Sequence, residues 1–495
     1  MNSRSQNAAT DTTPRSLARL SATQMLEGYR SGDFTPRDVV DEVIDALKNT
    51  DALCKVMTAD MFASARLEAD QAAAAWKAGE AKALTGVPIT VKDLIYVAGT
   101  RAQAGAPALD GFVPDVDAAV VTAVKDAGAI ITCKTTTCES GYKLTADSPV
   151  SGVTRNPWNL SRTSGGSSGG AAAAVAAGCG PLAIATDGVG SIRVPCAFCG
   201  VFGLKPTYGL VARSPGFFPP SWPSLAHTGP IARTVGDAAL LLGVIAGHDR
   251  RDPGSLPIAG RSFAAKPRRL DGLRIGFSPD LGYAAVAGDV RAAFKHAIDA
   301  LVDMGAELTA ADPGVDPDVL EGVLKPIAFT EQAAAMSGRD PALFARSDQD
   351  YRDVIAKGRS YSGVDYMTAT HRRMILRGRF VDLFRRVDAL VTPTVAVTAF
   401  AAGTIGVEEI DGRKVDSHLG WSPFSWPINL AGLPAATVPC GWDREGLPIG
   451  LQIVAPWLGE DTILAVAAAL EQAQPWADAW PALVRNHPAV AAITS

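Results

Sequence analysis

The chain has 495 residues with a formal net charge of −5, 47% hydrophobic and 20% charged. That is the profile of an ordinary globular protein, not of a disordered one. No basic stretch marks a nucleic-acid surface, and the longest apolar runs, such as residues 238–247, fall well short of the ~20 residues a membrane span needs. Neither nucleic acid nor a membrane is expected as a partner.

Residues 1–15 are polar, lack the apolar segment of a signal peptide, and read as a mobile tail. The stretch SATQMLEGYRSGDFTPRDVVDEVIDALKN predicts two helices broken at a turn over 32–35, each opened by a Ser or Thr cap, within a helical section spanning about 16–80. ALTGVPITVKDLI predicts a strand running up to Lys92. AAVVTAVKDAGAIITCKT then reads as helix, glycine turn and strand, half of a crossover unit. TSGGSSGGAAAAVAAG, residues 163–178, has the glycine and serine of a linker but flows into a charge-free alanine segment that must be buried if helical. Its glycines therefore stand at the entrance of an internal helix, where they permit positive φ and close backbone approach.

PLAIATDG predicts the next strand, inside a core section spanning about 85–247. Alternation of this kind implies a mixed or mostly parallel sheet covered by helices. A polar, proline-rich connection over 249–270 precedes the strand LRIGFSPDL, and a charged helical region is inserted at about 315–385. ALVTPTVAV and AATVPCGWDREGLPIGLQIVAP predict further strands, the latter a hairpin turning near Gly446, and the helix EDTILAVAAALEQA closes the core. With no repeat of 20 to 50 residues, the pattern is one α/β domain over 16–485.

Seven cysteines, at 54, 133, 138, 179, 196, 199 and 440, suit reduced thiols in a cytoplasm. Cys196 and Cys199 have CxxC spacing but no second pair or histidines at ligand spacing, so small buried hydrophobes are expected and no metal. Two serines compete as nucleophile. GGSSG, residues 165–169, fits the GxSxG elbow of an α/β-hydrolase esterase with Ser167 attacking, aided by one of the histidines 227, 248, 296, 371, 418 or 487. ATDGVGSIR instead offers Ser191 beside paired glycines whose backbone N–H groups can converge on an anion. With no histidine close in sequence, its base is Lys92, whose burial at a strand end would lower its pKa. Asp187 and Arg193 flank this loop as a bracing ion pair.

VKDLI, CKTTTCE, TRNPWNLSRTSGGSSGGAAAAVAAG, TDGVGSIRVPCAFCGVFGLKPTYGLV, GPIARTVGDAALLL and INLAGLPAATVPCGWDREGLPIGLQIVAP, in this order, resemble the amidase signature family across about residues 16–475. The resemblance implies an α/β/α sandwich around a large mixed β-sheet and cofactor-free hydrolysis of a small-molecule amide, with esters or carbamates as further substrates. It implies a Ser, cis-Ser, Lys triad: Ser191 as nucleophile, Ser167 as bridge with a cis bond to Gly166, and Lys92 as base, supported by Ser168. The N–H groups of Gly188, Val189, Gly190 and Ser191 would form the oxyanion hole. Val189 stands where the family usually has glycine and is expected at negative φ; Lys134, Thr135 and Thr136 stand where KTN is usual. The glutamyl-tRNA amidotransferase A subunit shares the triad, but RSPGFFPPSWPSLAHTGP departs from its pattern, which favours a free-standing amidase. Gly141, Tyr142, Phe217, Phe218, Trp222 and Trp426, with Trp421 and Phe424, are candidates for an aromatic substrate pocket or for core packing. A homodimer is compatible with this reading.

Overall fold

Eleven strands join one mixed sheet in the computed structural model, which describes residues 16–216, 224–258, 261–265 and 269–485. They are β1 (Met57–Asp60), β2 (Pro88–Lys92), β3 (Ile130–Thr135), β4 (Leu182–Asp187), β5 (Phe202–Lys205), β6 (His227–Ala232), β7 (Arg274–Phe277), β8 (Glu307–Ala310), β9 (Ala389–Pro393), β10 (Ala435–Trp442) and β11 (Pro448–Val454). Their order across the sheet is β1-β3-β2-β4-β6-β5-β10-β11-β9-β7-β8. β3, β2 and β4 run parallel, as do β9, β7 and β8, while the middle of the sheet is antiparallel. The expected tail over 1–15 and the candidates Phe217, Phe218 and Trp222 lie outside the described residues.

Side-chain alternation shows why the sheet is covered on both faces. Along β4, Leu182 and Ile184 enter one buried apolar cluster while Ala183 and Ala185 enter another, and Ile231 and Ala232 of β6 divide in the same way. Each face therefore has its own core, the three-layer arrangement of an α/β/α sandwich. On the Ala183 side lies the helix Gly169–Ala176, in which every residue is buried. Small side chains on both strand and helix let the two backbones approach closely, which seats the serines at the helix N-terminus against the sheet.

The N-terminal helices form where the capping residues predict. Ser21 with Gln24 opens Ala22–Ser31, and Thr35 with Asp38 opens Pro36–Cys54, each as a reciprocal capping box. The helical stretch after β8 comprises Lys325–Ala335, Gln349–Ser360 and Gly363–Leu383. Among the described residues no helix is long and apolar enough to cross a membrane. Because β2 and β4 are parallel neighbours, Lys92 and Asp187 end at the same edge of the sheet, and β4 leads from there into residues 188–191.

Candidate active site

Lys92, the last residue of β2, is fully buried, and its Nζ lies 2.7 Å from Ser167 Oγ, 2.8 Å from Ser168 Oγ and 2.9 Å from Thr186 Oγ1. Ser168 Oγ donates its own proton to the Thr186 carbonyl at 3.0 Å, so it can only accept from the amine. Ser167 and Thr186 are then the hydroxyls free to donate to a neutral lysine. Burial lowers the Lys92 pKa to about 7, a shift that Cys138 and Asp187 oppose only in part. An amine in this range is a base at neutral pH, whereas an ordinary lysine is charged.

The Gly166–Ser167 peptide bond is cis. Gly166 has no room for a side chain: a Cβ there would stand 2.2 Å from the Thr145 carbonyl. Gly141 borders the same spot, since a Cβ on it would lie 3.5 Å from Ser167 Oγ. No described histidine is hydrogen-bonded to Ser167; its partner is Lys92. The esterase arrangement, which needs a histidine there, is thus not what the structure assembles.

Ser191, 3% exposed, sits two residues before the helix Arg193–Cys199, and its carbonyl accepts from Ser168 N at 3.2 Å, tying the two serine segments together. Among the described residues no hydrogen bond joins Ser191 Oγ to Ser167 Oγ. Such contacts often tighten only when substrate binds. The N–H groups of Gly188, Val189 and Ser191 likewise have no acceptor among the described residues. The Gly190 N–H differs from expectation: it donates to Asp187 Oδ1 at 2.8 Å, so it is turned into the loop's own support. Three donors, not four, remain for an anion.

That support is a buried polar network around Asp187. Its carboxylate accepts from Arg193 Nε and Nη2, both at 3.0 Å, from Ile192 N at 3.1 Å and from Asn429 Nδ2 at 2.9 Å. Burial is the largest influence and works to raise its pKa, but the Arg193 guanidinium, the Lys205 charge and the Asn429 amide together hold the carboxyl well below the usual range. Arg193 also donates to Gln452 Oε1 at 2.6 Å, to the Ser425 carbonyl at 3.0 Å and to Asn429 Oδ1. The expected ion pair exists, with more partners than the sequence indicated.

Val189 has negative φ, as expected, while Gly190 adopts φ +134°. A Cβ on Gly190 would stand 2.6 Å from Ser425 Oγ, and that hydroxyl donates to the Val189 carbonyl at 2.6 Å. The Val189 side chain is buried in the main core. Lys134 is buried as an ion pair with Asp93 at 3.1 Å, with burial pulling its pKa down.

Of the aromatic candidates, Tyr142 lies beside Gly141, buried, with its hydroxyl unpartnered and its ring 4.8 Å from Tyr351 and 5.8 Å from His418. Trp421, Phe424 and Trp426 are buried in the main core, the two indoles pointing to the carbonyls of Ser417 and Leu419. Cys196 and Cys199 are free thiols, like the other five cysteines, and all seven are buried. No group of three or more metal-ligating side chains occurs among the described residues. A cavity of about 350 Å³, lined by Tyr208, His227, Thr228 and Asp252 among others, contains none of Lys92, Ser167 and Ser191.

Sequence reasoning missed Thr186, Ser425, Asn429 and Gln452. A signal existed for two of them: Asn429 and Gln452 are single polar residues inside apolar runs, INLA and GLQIVA, and a buried polar group needs a partner.

The chain is 33% identical over 475 residues to an acylamidase of Rhodococcus erythropolis, covering 95% of this chain and 98% of that one. It is 34% identical over 489 residues to the glutamyl-tRNA(Gln) amidotransferase A subunit of Acinetobacter baumannii, covering 93% and 97%. Its fold superposes on a bacterial aryl acylamidase of the amidase signature family with a TM-score of 0.88 at 28% identity, covering 95% and 99%. On 6-aminohexanoate cyclic dimer hydrolase the TM-score is 0.86 at 30% identity, covering 94% and 99%. The Amidase family model matches residues 38–464, and the chain belongs to the amidase signature family of amide-hydrolysing enzymes.

Proposed function

We propose that the protein is a free-standing acylamidase that cleaves a small-molecule carboxylic amide through an acyl-enzyme on Ser191. The observation that carries this reading is the buried Lys92 amine, 2.7 Å from Ser167 and with a pKa brought down to about 7. Neutral Lys92 takes the Ser167 proton, Ser167 takes that of Ser191, and the Ser191 oxygen attacks the amide carbonyl. Negative charge develops on the carbonyl oxygen, where the N–H groups of Gly188, Val189 and Ser191 are available to receive it. The proton returns through Ser167 to the leaving nitrogen, the amine departs, and water attacks the ester by the same route. Every step moves a proton or an acyl group, so the residues present suffice.

Gly141 and Tyr142 form the wall next to Ser167 on this reading, with the unpartnered Tyr142 hydroxyl as a polar contact for substrate. The test is a panel of anilides, alkyl amides, primary amides and matching esters, assayed for release of acid and amine by the purified chain alone. Identity to amidotransferase A subunits supports a second reading, ammonia release from glutamine within a complex. That reading predicts no turnover of anilides and glutaminase activity that appears only with partner subunits.

A further inference from the structure

The helix Gly363–Leu383 is apolar on two opposite faces. Its inner face buries Ala369, Leu376, Phe380 and Leu383. Arginines secure that face: Arg373 donates to the carbonyls of Leu430 and Ser224 at 2.7 and 2.8 Å, and the Arg377 guanidinium lies 4.4 Å over the Trp457 ring. The outer face carries Val364, Met367, Met374, Ile375 and Val381, which are 75%, 49%, 61%, 61% and 49% exposed. Five of the eleven large hydrophobics exposed among the described residues are thus on this one helix. Val364, Met367, His371, Met374, Gly378 and Val381 follow each other in alternating steps of three and four, the a/d spacing of a coiled-coil seam. Four of these six positions, Val364, Met367, Met374 and Val381, are exposed apolar side chains, and an apolar row of this kind marks an association surface, unlike single scattered hydrophobics.

We propose that this seam is the interface with a second copy of the chain, packed antiparallel about a two-fold axis passing between His371 and Met374. In a two-fold interface, if one residue contacts another, the reverse contact also occurs. This register sets Val364 against Val381, Met367 against Gly378, and His371 against Met374. Nothing lies within 4 Å of where a Cβ on Gly378 would stand, so the bare backbone leaves room for the long Met367 side chain at both ends of the seam.

Charge selects the antiparallel direction. Asp382, exposed near the C-terminus, comes opposite Gly363 of the other copy's helix, away from its own counterpart. A parallel pair would instead set Asp382 against Asp382. Cations flanking the seam are already engaged: Arg372 pairs with Asp318 at 2.9 Å, Arg385 with Asp382 at 3.1 Å, and Arg379 donates to the Gly314 carbonyl. They leave little free positive charge for an anionic lipid surface. The five exposed side chains offer roughly 500 Å² on each copy, so a pair buries about 1,000 Å², the lower edge of the range for a specific interface. A dimer with a Kd in the micromolar range is the expected product.

Sedimentation of the full chain across a concentration series should show twice the 51.4 kDa mass at the top of the series. Met374→Lys and Met367→Lys should each shift the equilibrium at least 100-fold toward monomer while leaving thermal midpoint and amide hydrolysis unchanged, since neither side chain enters the core. All seven native cysteines are buried, so introduced ones report alone: the double variant His371→Cys, Met374→Cys should cross-link on oxidation, and Met374→Cys alone should not. Overturning results are a chain that stays monomeric throughout, a dimer indifferent to both lysines, or efficient cross-linking of Met374→Cys alone, which would mean parallel helices. Flotation of the monomer with phosphatidylserine vesicles, abolished by Met374→Lys, would assign the seam to a membrane and overturn the proposal equally.

Discussion

The buried amine makes a quantitative pH prediction. With a Lys92 pKa of about 7, the neutral fraction is roughly one-tenth at pH 6, one-half at pH 7 and nine-tenths at pH 8. The logarithm of kcat/KM for a good amide substrate should therefore climb with unit slope below pH 7 and level off above pH 8. Lys92→Arg, which carries a permanent charge, should lose nearly all activity across the whole range. One other group near the site titrates in the same window: burial pushes the Glu139 carboxyl up to about 7, against hydrogen bonds from Ser347 and the Asp348 N–H. His227 and His418 do not, because burial holds the first well below its ordinary value and the second at about 4. The decisive assay is a stopped-time pH profile of wild type beside Glu139→Gln. Retention of the limb in Glu139→Gln supports Lys92; its disappearance with the plateau rate intact would refute the assignment. Stability supplies an independent check. Folding lowers the Lys92 pKa from 10.5 to about 7, so between those values the unfolded chain binds more protons and stability rises with pH. Lys92→Met should lack that rise and unfold at a pH-independent midpoint over the window, apart from contributions common to both proteins.

Gly190→Ala should lower kcat/KM by about 100-fold, the scale of misplacing one of the neighbouring donors Val189 N–H or Ser191 N–H, because a Cβ meets Ser425 Oγ at 2.6 Å and φ is +134°, so the loop must shift to admit it; steady-state kinetics at wild-type levels would show that the loop tolerates the methyl group. Arg193→Met leaves the Asp187 carboxylate buried without its guanidinium and should cost about 3–5 kcal/mol in urea unfolding; a loss below about 1 kcal/mol would mean that Asn429 and the backbone donors suffice. Prolonged treatment with a chelator should leave amide hydrolysis unchanged, whereas loss restored by zinc would require metal ligands outside the serine and lysine network.

Local signals made most of the sheet and the candidate site residues Lys92, Ser167 and Ser191 legible in the sequence. The capped helices at Ser21 and Thr35, the apolar run into Lys92 and the hairpin at Gly446 each carry a short-range cause, and each forms as expected. Glycine clusters marked both serine segments because close backbone approach leaves no alternative residue, as at Gly166 and Gly190. What escaped was set by distant parts of the chain. β1 is a four-residue edge strand with little pattern of its own, and it exists because β3 pairs with it. The Gly190 N–H turns to Asp187 because Arg193 and Asn429 hold that carboxylate from outside the loop. Trp421, Phe424 and Trp426 cluster in sequence in a way that suits a pocket or core packing alike; they are buried together in the main core, a placement that composition does not encode.

The most direct test of the account is the site of acylation. A fluorophosphonate, or a slow amide substrate trapped by rapid acid quench, is reacted with the full chain, which is then digested and read by tandem mass spectrometry. The account predicts one adduct, on Ser191, absent from Ser191→Ala and formed far more slowly in Lys92→Met. An adduct on Ser167, persisting in Ser191→Ala, would contradict it.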